Sequence, residues 1–67
     1  MYALICEDRE GITFLADSED GQGYEKVSKL IYAKFFTDAT HAANWIWEHK
    51  VVERVKFARI NMGFDVL

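Results

Sequence analysis

The chain has 67 residues, of which 51% are hydrophobic, and a formal net charge of −3 at pH 7. This length predicts a single domain spanning residues 1–67, with a small core and marginal stability. Cys6 is the sole cysteine, which excludes a disulfide framework and favours a reducing, cytoplasmic compartment. The N-terminus has no basic region and no segment has the length of a membrane span, so we expect neither a signal peptide nor membrane association.

Two short runs near the N-terminus, "YALIC" (2–6) and "ITFLA" (12–16), are rich in aromatic and β-branched residues. The polar stretch "EDREG" between them ends at Gly11, and glycine supplies the positive φ that a hairpin return needs. The pattern predicts an antiparallel hairpin. Both faces of each strand are largely apolar, which indicates that the strands are central or are covered on the second face.

The stretch "DSEDGQGYE" (17–25) combines two glycines with four acids and contains no base. Its acids do not follow the spacing of an EF-hand calcium loop. Its "GQG" lacks the third glycine and the βαβ context of a dinucleotide-binding fingerprint. We interpret the stretch as a mobile acidic turn, because glycine and acidic residues are typical of solvated turns.

The segment "YEKVSKLIYAKFF" (24–36) mixes helical spacing with many strand-forming residues, so the following segment decides its conformation. "TDATHAANWIWEHK" (37–50) predicts a helix, because Thr37 or Asp38 can cap its N-terminus. A cap at that point makes the preceding chain non-helical. We therefore expect a third strand at about 29–36, with room for a helical turn at 25–28.

The predicted helix carries a narrow apolar stripe formed by Ala39, Ala42, Ala43 and Ile46. Trp45 and Trp47 flank this stripe, one on each edge. Small alanines let the helix lie close to a sheet, so we expect the two tryptophans to pack at the rims of that contact. The alternative is that they form a hot spot for a partner protein, since aromatic residues dominate such sites.

The C-terminal segment "VVERVKFARINMGFDVL" (51–67) returns to strand character, with an alternation that slips in phase between Phe57 and Ile60. A β-bulge in one long strand explains the slip, as does a turn at "NMG" that makes a second hairpin with Gly63 in the turn. We prefer the bulged strand. The resulting order β-β-β-α-β predicts an α+β fold with one helix packed on one face of a small antiparallel sheet.

Charge is distributed unevenly along the chain. Residues 1–25 carry seven acids and one base, a net charge of −6, whereas residues 26–67 carry four acids and seven bases, a net charge of +3. We expect an acidic pole built from Glu7, Asp8, Glu10, Asp17, Glu19 and Asp20. Such a pole suits a partner that presents a basic groove.

The sequence contains no recognisable catalytic set. Cys6 has no histidine or other base near it, and the adjacent Glu7 and Asp8 disfavour its thiolate, so we expect a small buried hydrophobe. His41 and His49 are eight residues apart on the predicted helix, which is the wrong spacing for a metal-binding pair. We therefore expect a non-enzyme that holds neither a metal nor a cofactor.

The stretches "YALICEDREGITF" and "YAKFFTDATHAANWI" resemble the small N-terminal hybrid-binding domain of eukaryotic-type ribonuclease H. The resemblance rests on Gly11, Ile12, Lys34, Phe35 and Thr37. It implies a domain that binds an RNA–DNA hybrid. The family's tryptophan after the second strand is absent, because Leu15 or Ala16 stands there, and "EDRE" replaces its basic turn. The groups that would bind a hybrid are therefore missing, and we do not assign the chain to this family.

The leading hypothesis is a small protein-binding module that presents the acidic pole to a basic partner protein, as an inhibitor or regulator of the type carried by phages and mobile elements. A second hypothesis is a homodimer formed through the apolar hairpin or an edge strand near the C-terminus. A third is a nucleic-acid-binding accessory domain that uses the basic C-terminal portion. The acids among those bases make nucleic acid the weaker choice. The bases concerned are Lys50, Arg54, Lys56 and Arg59.

Overall fold

The computed structural model describes residues 1–9 and 11–60. Its elements are β1 (Tyr2–Asp8), β2 (Gly11–Asp17), β3 (Tyr24–Val27), a 3-10 turn (Leu30–Tyr32), α1 (Ala39–Glu48) and β4 (Val55–Arg59). The strands of this part of the chain form a four-stranded antiparallel sheet in the order β3-β2-β1-β4, and α1 packs on β1. The predicted α+β fold and the order β-β-β-α-β are confirmed.

The N-terminal hairpin forms as predicted, with β1 and β2 paired from Asp8↔Gly11 to Ile5↔Phe14. Gly11 has a φ of +130°, a conformation that residues with a side chain rarely adopt. Both strands are internal, because β3 pairs with β2 and β4 pairs with β1. The central position of both strands, one of the two expected outcomes, is confirmed.

The third strand lies earlier in the chain than predicted. The expected helical turn at 25–28 is wrong, because β3 occupies Tyr24–Val27. The expected strand at 29–36 is also wrong, because that segment holds the 3-10 turn and an isolated bridge between Phe36 and Tyr2. The physical reason is locality: β3 follows β2 across a short turn and pairs with it as a hairpin, which costs less loop-closure entropy than a later pairing.

The segment that follows the 3-10 turn fills a gap between β1 and β2. The pairing of these two strands stops at Ile5↔Phe14. Beyond that point, the Lys34 N–H donates to the Leu15 carbonyl at 2.9 Å, and Phe36 exchanges two backbone hydrogen bonds of 2.8 Å with Tyr2. Residues 34–36 therefore supply hydrogen bonds to β1 and β2 where these two strands no longer pair with each other. They also connect the sheet to α1.

The predicted helix is present with tighter bounds, Ala39–Glu48. Asp38 is the N-cap, because its carboxylate accepts a hydrogen bond from the His41 N–H at 2.8 Å. Thr37, the alternative cap, instead lies with its hydroxyl 2.9 Å from Nδ1 of His41. His41 is exposed.

The buried face of α1 centres on Ala42 and Trp45 and does not follow the predicted alanine stripe, since Ala43 is exposed. The expected rim position of Trp45 is wrong: this side chain is 6% exposed. Its ring packs edge-on against Phe36 and Tyr24, with centroids 5.6 and 6.5 Å away. These ring contacts orient the helix so that Trp45 faces the core. The helical periodicity of the sequence alone does not predict this orientation.

The core lies between α1 and one face of the sheet. Its buried residues are Leu4, Cys6, Leu15, Phe36, Ala42 and Trp45. Leu4 and Leu15 are fully buried, and each contributes about 1.5–3 kcal/mol through removal from water. The expected burial of Cys6 is confirmed. That burial raises the pKa of its thiol above the ordinary value, and the opposing effect of Lys26 does not cancel it.

The C-terminal part of the described chain contributes β4 (Val55–Arg59), which pairs with β1 and forms one edge of the sheet. The choice between a bulged strand and a hairpin at Gly63 concerns residues 61–67, which lie outside the described residues. Within 1–9 and 11–60, no helix combines the length and the apolar character needed to cross a bilayer.

Candidate partner-binding surface

The structure divides the carboxylates of the predicted acidic pole between opposite ends of the sheet. The acids at the β1–β2 turn are Glu7 and Asp8. The acids at the β2–β3 turn are Asp17, Glu19 and Asp20. The length of β2 separates the two groups by about 20 Å, at about 3.3 Å per residue. Glu10 lies outside the described residues. Successive turns of an antiparallel meander alternate between the ends of the sheet, so closeness in sequence did not bring these acids together.

Lysines partly neutralise the acids near the β1–β2 turn. Lys56 Nζ lies 3.3 Å from Glu7 Oε2. Lys26 Nζ lies 3.9 Å from Asp8 Oδ2 and 2.9 Å from Glu53 Oε1. Exposed pairs of this kind contribute little to stability. They do offset the negative charge of this end of the sheet, which makes it a weak acidic surface.

Asp17 is held in a network at the base of the β2–β3 turn. Its Oδ1 accepts a hydrogen bond from Trp45 Nε1 at 3.0 Å, and its Oδ2 lies 3.1 Å from Lys34 Nζ. Nε2 of His49 lies 3.9 Å from Oδ1. Burial alone would raise the pKa of Asp17, but the hydrogen bonds from Trp45 and Lys34 lower it below its ordinary value. Asp17 therefore anchors α1 to the end of β2.

Three carboxylates at the β2–β3 end have no ion-pair partner among the residues that the structure describes: Glu19, Asp20 and Glu25. Asp20 also orders the turn by accepting hydrogen bonds from Ser18 Oγ at 2.6 Å and the Gln22 N–H at 3.0 Å. These two bonds lower the pKa of Asp20. With Ser18 and Gly23, the three acids line a hollow of about 530 Å³, which we call the acidic hollow.

A second surface lies at the C-terminal end of α1. Trp47 and Val52 are 85% and 86% exposed, more than any other large apolar side chain of the described residues. Together with Ile46, Lys50 and Val51 they line a groove of about 500 Å³. We call these five residues the Trp47 surface. Because positions two apart on a helix differ by about 200°, burial of Trp45 turns Trp47 away from the core.

The chain leaves α1 through a Schellman motif that holds the Trp47 surface in place. The Lys50 N–H bonds to the Trp47 carbonyl at 3.3 Å, and the Val51 N–H bonds to the Ile46 carbonyl at 3.1 Å. Lys50 takes the left-handed position of this motif, with a φ of +52°. Both Ile46 and Val51 pack against the core. The groove is therefore built on anchored backbone and needs little ordering before it binds.

His49 reinforces the same helix end. Its Nδ1 lies 2.9 Å from the Trp45 carbonyl, which can only accept, so Nδ1 carries the proton. The imidazole ring stacks on the Trp45 indole with centroids 4.4 Å apart. These contacts place a donor at the C-terminal end of the helix, where the helix dipole favours one.

Contacts across the molecule join the Trp47 surface to the β2–β3 hairpin. The Tyr24 hydroxyl donates to Glu53 Oε2 at 2.5 Å and accepts from the Val52 N–H at 3.4 Å. The contact between His49 and Asp17 forms a second link. The strand that leads out of the acidic hollow is thus fastened to the segment that carries Val52.

The structure places the two predicted tryptophan sites in different environments. Trp47 is open to a partner, whereas Trp45 packs in the core and donates to Asp17. Val52 and Glu25 are surface residues that the sequence pattern does not single out. The two adjacent valines of "VVER" indicate an exposed position, because two consecutive side chains after a helix rarely both reach the core. Here Val51 packs against the core and Val52 is exposed.

Among residues 1–9 and 11–60, no group of three or more histidine, cysteine, aspartate or glutamate side chains is placed to hold a metal ion. No protein-family model, curated protein or solved structure matches the chain.

Proposed function

We propose that this protein is a non-catalytic protein-binding module that contacts its partner through the Trp47 surface. The observation that carries the proposal is the near-complete exposure of Trp47 and Val52 on one groove. Contiguous exposed apolar side chains mark interaction surfaces, and tryptophan is among the residues most enriched in binding hot spots.

The expected energetic gain is large enough for specific binding. An aromatic side chain that buries about 200 Å² gains about 5 kcal/mol at about 25 cal/mol per Å², before the costs of association are subtracted. The Schellman motif holds the groove in one conformation, which reduces those costs. A module of this size acts by covering a site on its partner, as an inhibitor or regulator does. The buried thiol of Cys6 fits a reducing, cytoplasmic setting.

The test is a selection of random displayed peptides on the wild-type protein, followed by affinity measurement on purified variants. We expect peptides whose binding to W47S is at least about thirtyfold weaker, which corresponds to a hot-spot loss of about 2 kcal/mol. The control is I31S, which removes another apolar side chain that is 75% exposed. Peptides that bind W47S and wild type equally well, or the recovery of none, would contradict the proposal.

The homodimer is a second candidate, favoured by the position of β4 at the sheet edge and by the 43% exposure of its Phe57. An edge strand offers unpaired backbone groups to a second copy. Sedimentation equilibrium at high micromolar concentration measures this directly, and a monomer mass there refutes the homodimer. We do not carry the nucleic-acid hypothesis further, because Lys56 is paired with Glu7 and Lys50 lies on the Trp47 surface.

A further inference from the structure

The Trp47 surface contains a single charged side chain, Lys50, on an otherwise apolar groove. The aliphatic stem of a lysine packs along apolar side chains, while its ammonium stays at the edge that faces water. Among residues 1–9 and 11–60, no carboxylate forms an ion pair with this ammonium. It is therefore available to a partner that also covers Trp47 and Val52.

The backbone of Lys50 is a second and independent observation on the same residue. Its φ of +52° puts it at the left-handed position of the Schellman motif that ends α1. Glycine fills this position at the lowest cost, because it has no Cβ atom for the left-handed conformation to crowd. Strained residues concentrate at functional sites. The strain at Lys50 therefore indicates that its side chain has a role outside the fold.

The neighbouring charges leave the Trp47 surface locally positive. Glu53 is already held by Lys26, whose Nζ lies 2.9 Å from Glu53 Oε1. Glu48 lines a separate hollow on another face of α1. Arg54 is exposed and forms no ion pair with the residues that the structure describes. It follows Val52 by two residues, so its backbone lies within about 7 Å of this part of the groove.

We propose that Lys50 determines the specificity of the Trp47 surface, and that the partner is a protein segment with an apolar side chain for the groove and an aspartate or glutamate for Lys50. This inference rests on the proposed function, because it names the partner chemistry of the same surface. It departs from the basic partner expected from the acidic pole, whose described acids lie outside this groove. A charge pair beside an apolar contact fixes the register and rejects basic competitors more than it adds affinity.

The experiment uses random peptides of about 16 residues as the probe, selected by display on the full chain. We expect the recovered peptides to combine an aromatic or aliphatic residue with a nearby aspartate or glutamate. The K50Q variant removes the charge and keeps the side-chain length. Its dissociation constants should rise about fivefold, with a shallower dependence on salt. Replacing the peptide carboxylate by its amide should cost the same factor in wild type and almost nothing in K50Q.

A second variant separates binding from stability. K50G removes the same charge and relieves the backbone strain, so it should unfold at a higher temperature than wild type while it binds the peptides about fivefold more weakly. The matched control is R59Q, which removes an exposed cation from β4, the edge strand opposite β3. It should change affinity by less than about twofold.

The outcomes distinguish this inference from the proposed function. Peptides that need Trp47 but bind K50Q as well as wild type would overturn the acidic partner and leave the proposed function standing. A selection that yields basic peptides would do the same. An equal loss of affinity in R59Q would assign the effect to net charge and overturn the role of Lys50. Peptides insensitive to W47S, or none at all, would remove the proposed function and this inference with it.

Discussion

The indole Nε1 of Trp45 donates a hydrogen bond to Asp17 Oδ1 at 3.0 Å, which joins α1 to the end of β2. This bond satisfies the indole N–H, the one polar group of the Trp45 side chain. Its acceptor, Asp17, is an acid that the sequence analysis places in the acidic pole on the surface. Together with the ring contacts of Trp45 to Phe36 and Tyr24, the bond fixes the rotation of α1. With Trp45 turned inward, Trp47 faces solvent, so the contacts that hold Trp45 also expose the surface that we propose for binding.

Replacement of Asp17 by alanine should lower the free energy of unfolding by about 1–2 kcal/mol, because the Trp45 N–H loses its acceptor and Lys34 loses its partner. Urea denaturation followed by circular dichroism measures this change. The neighbouring E19A variant, which removes an acid with no partner among the described residues, should stay within about 0.5 kcal/mol of wild type. Equal losses in the two variants would show that the network is not stabilising.

The same network predicts a pH dependence. Because the pKa of Asp17 is lowered from 3.8 in the folded chain, its contribution is fully present above that value and is lost as pH falls through the folded pKa. The difference in unfolding free energy between wild type and D17N should therefore shrink below about pH 4. Urea titrations at a series of pH values test this. A difference that stays constant down to about pH 2 would contradict it.

The two tryptophans should respond in opposite ways to truncation. W45A should destabilise the protein by about 3–5 kcal/mol, since it empties the centre of the core, whereas W47A should change stability by less than about 0.5 kcal/mol. Denaturation gives both values. In the W45F variant, the remaining Trp47 should emit at long wavelength and be readily quenched by acrylamide. Shielded emission from that variant would show that Trp47 is already covered.

Replacement of Lys50 by glycine should stabilise the protein by about 1 kcal/mol, because its φ of +52° is costly for a residue with a Cβ atom. K50A is the matched control, since it removes the same charge and keeps the Cβ. Thermal unfolding of both variants separates backbone strain from charge. A gain in K50A equal to that in K50G would assign the effect to the charge and not to the backbone.

Some of the candidate site was visible in the sequence and some was not. Trp47 was a candidate because an aromatic residue at the edge of an apolar helix stripe either packs in the core or contacts a partner. Only the packing of the folded chain distinguishes these two roles. The acids were also visible, yet their grouping was not, because it depends on which end of the sheet each turn occupies. Glu25 lines the acidic hollow because β3 begins at Tyr24, which places Glu25 next to the β2–β3 turn.

The sequence by itself determined the elements that depend on local physics. Gly11 marks the hairpin return, Asp38 marks the helix start, and the apolar runs at 2–6 and 12–16 mark central strands. Only the tertiary structure decided which strand-forming segment pairs with β2 and which tryptophan enters the core. Both outcomes depend on competition between alternative partners in the folded chain: β3 pairs with β2 in place of the segment at 29–36, and the rings of Tyr24 and Phe36 pack on Trp45 and not on Trp47. Local propensity contains no information about that competition.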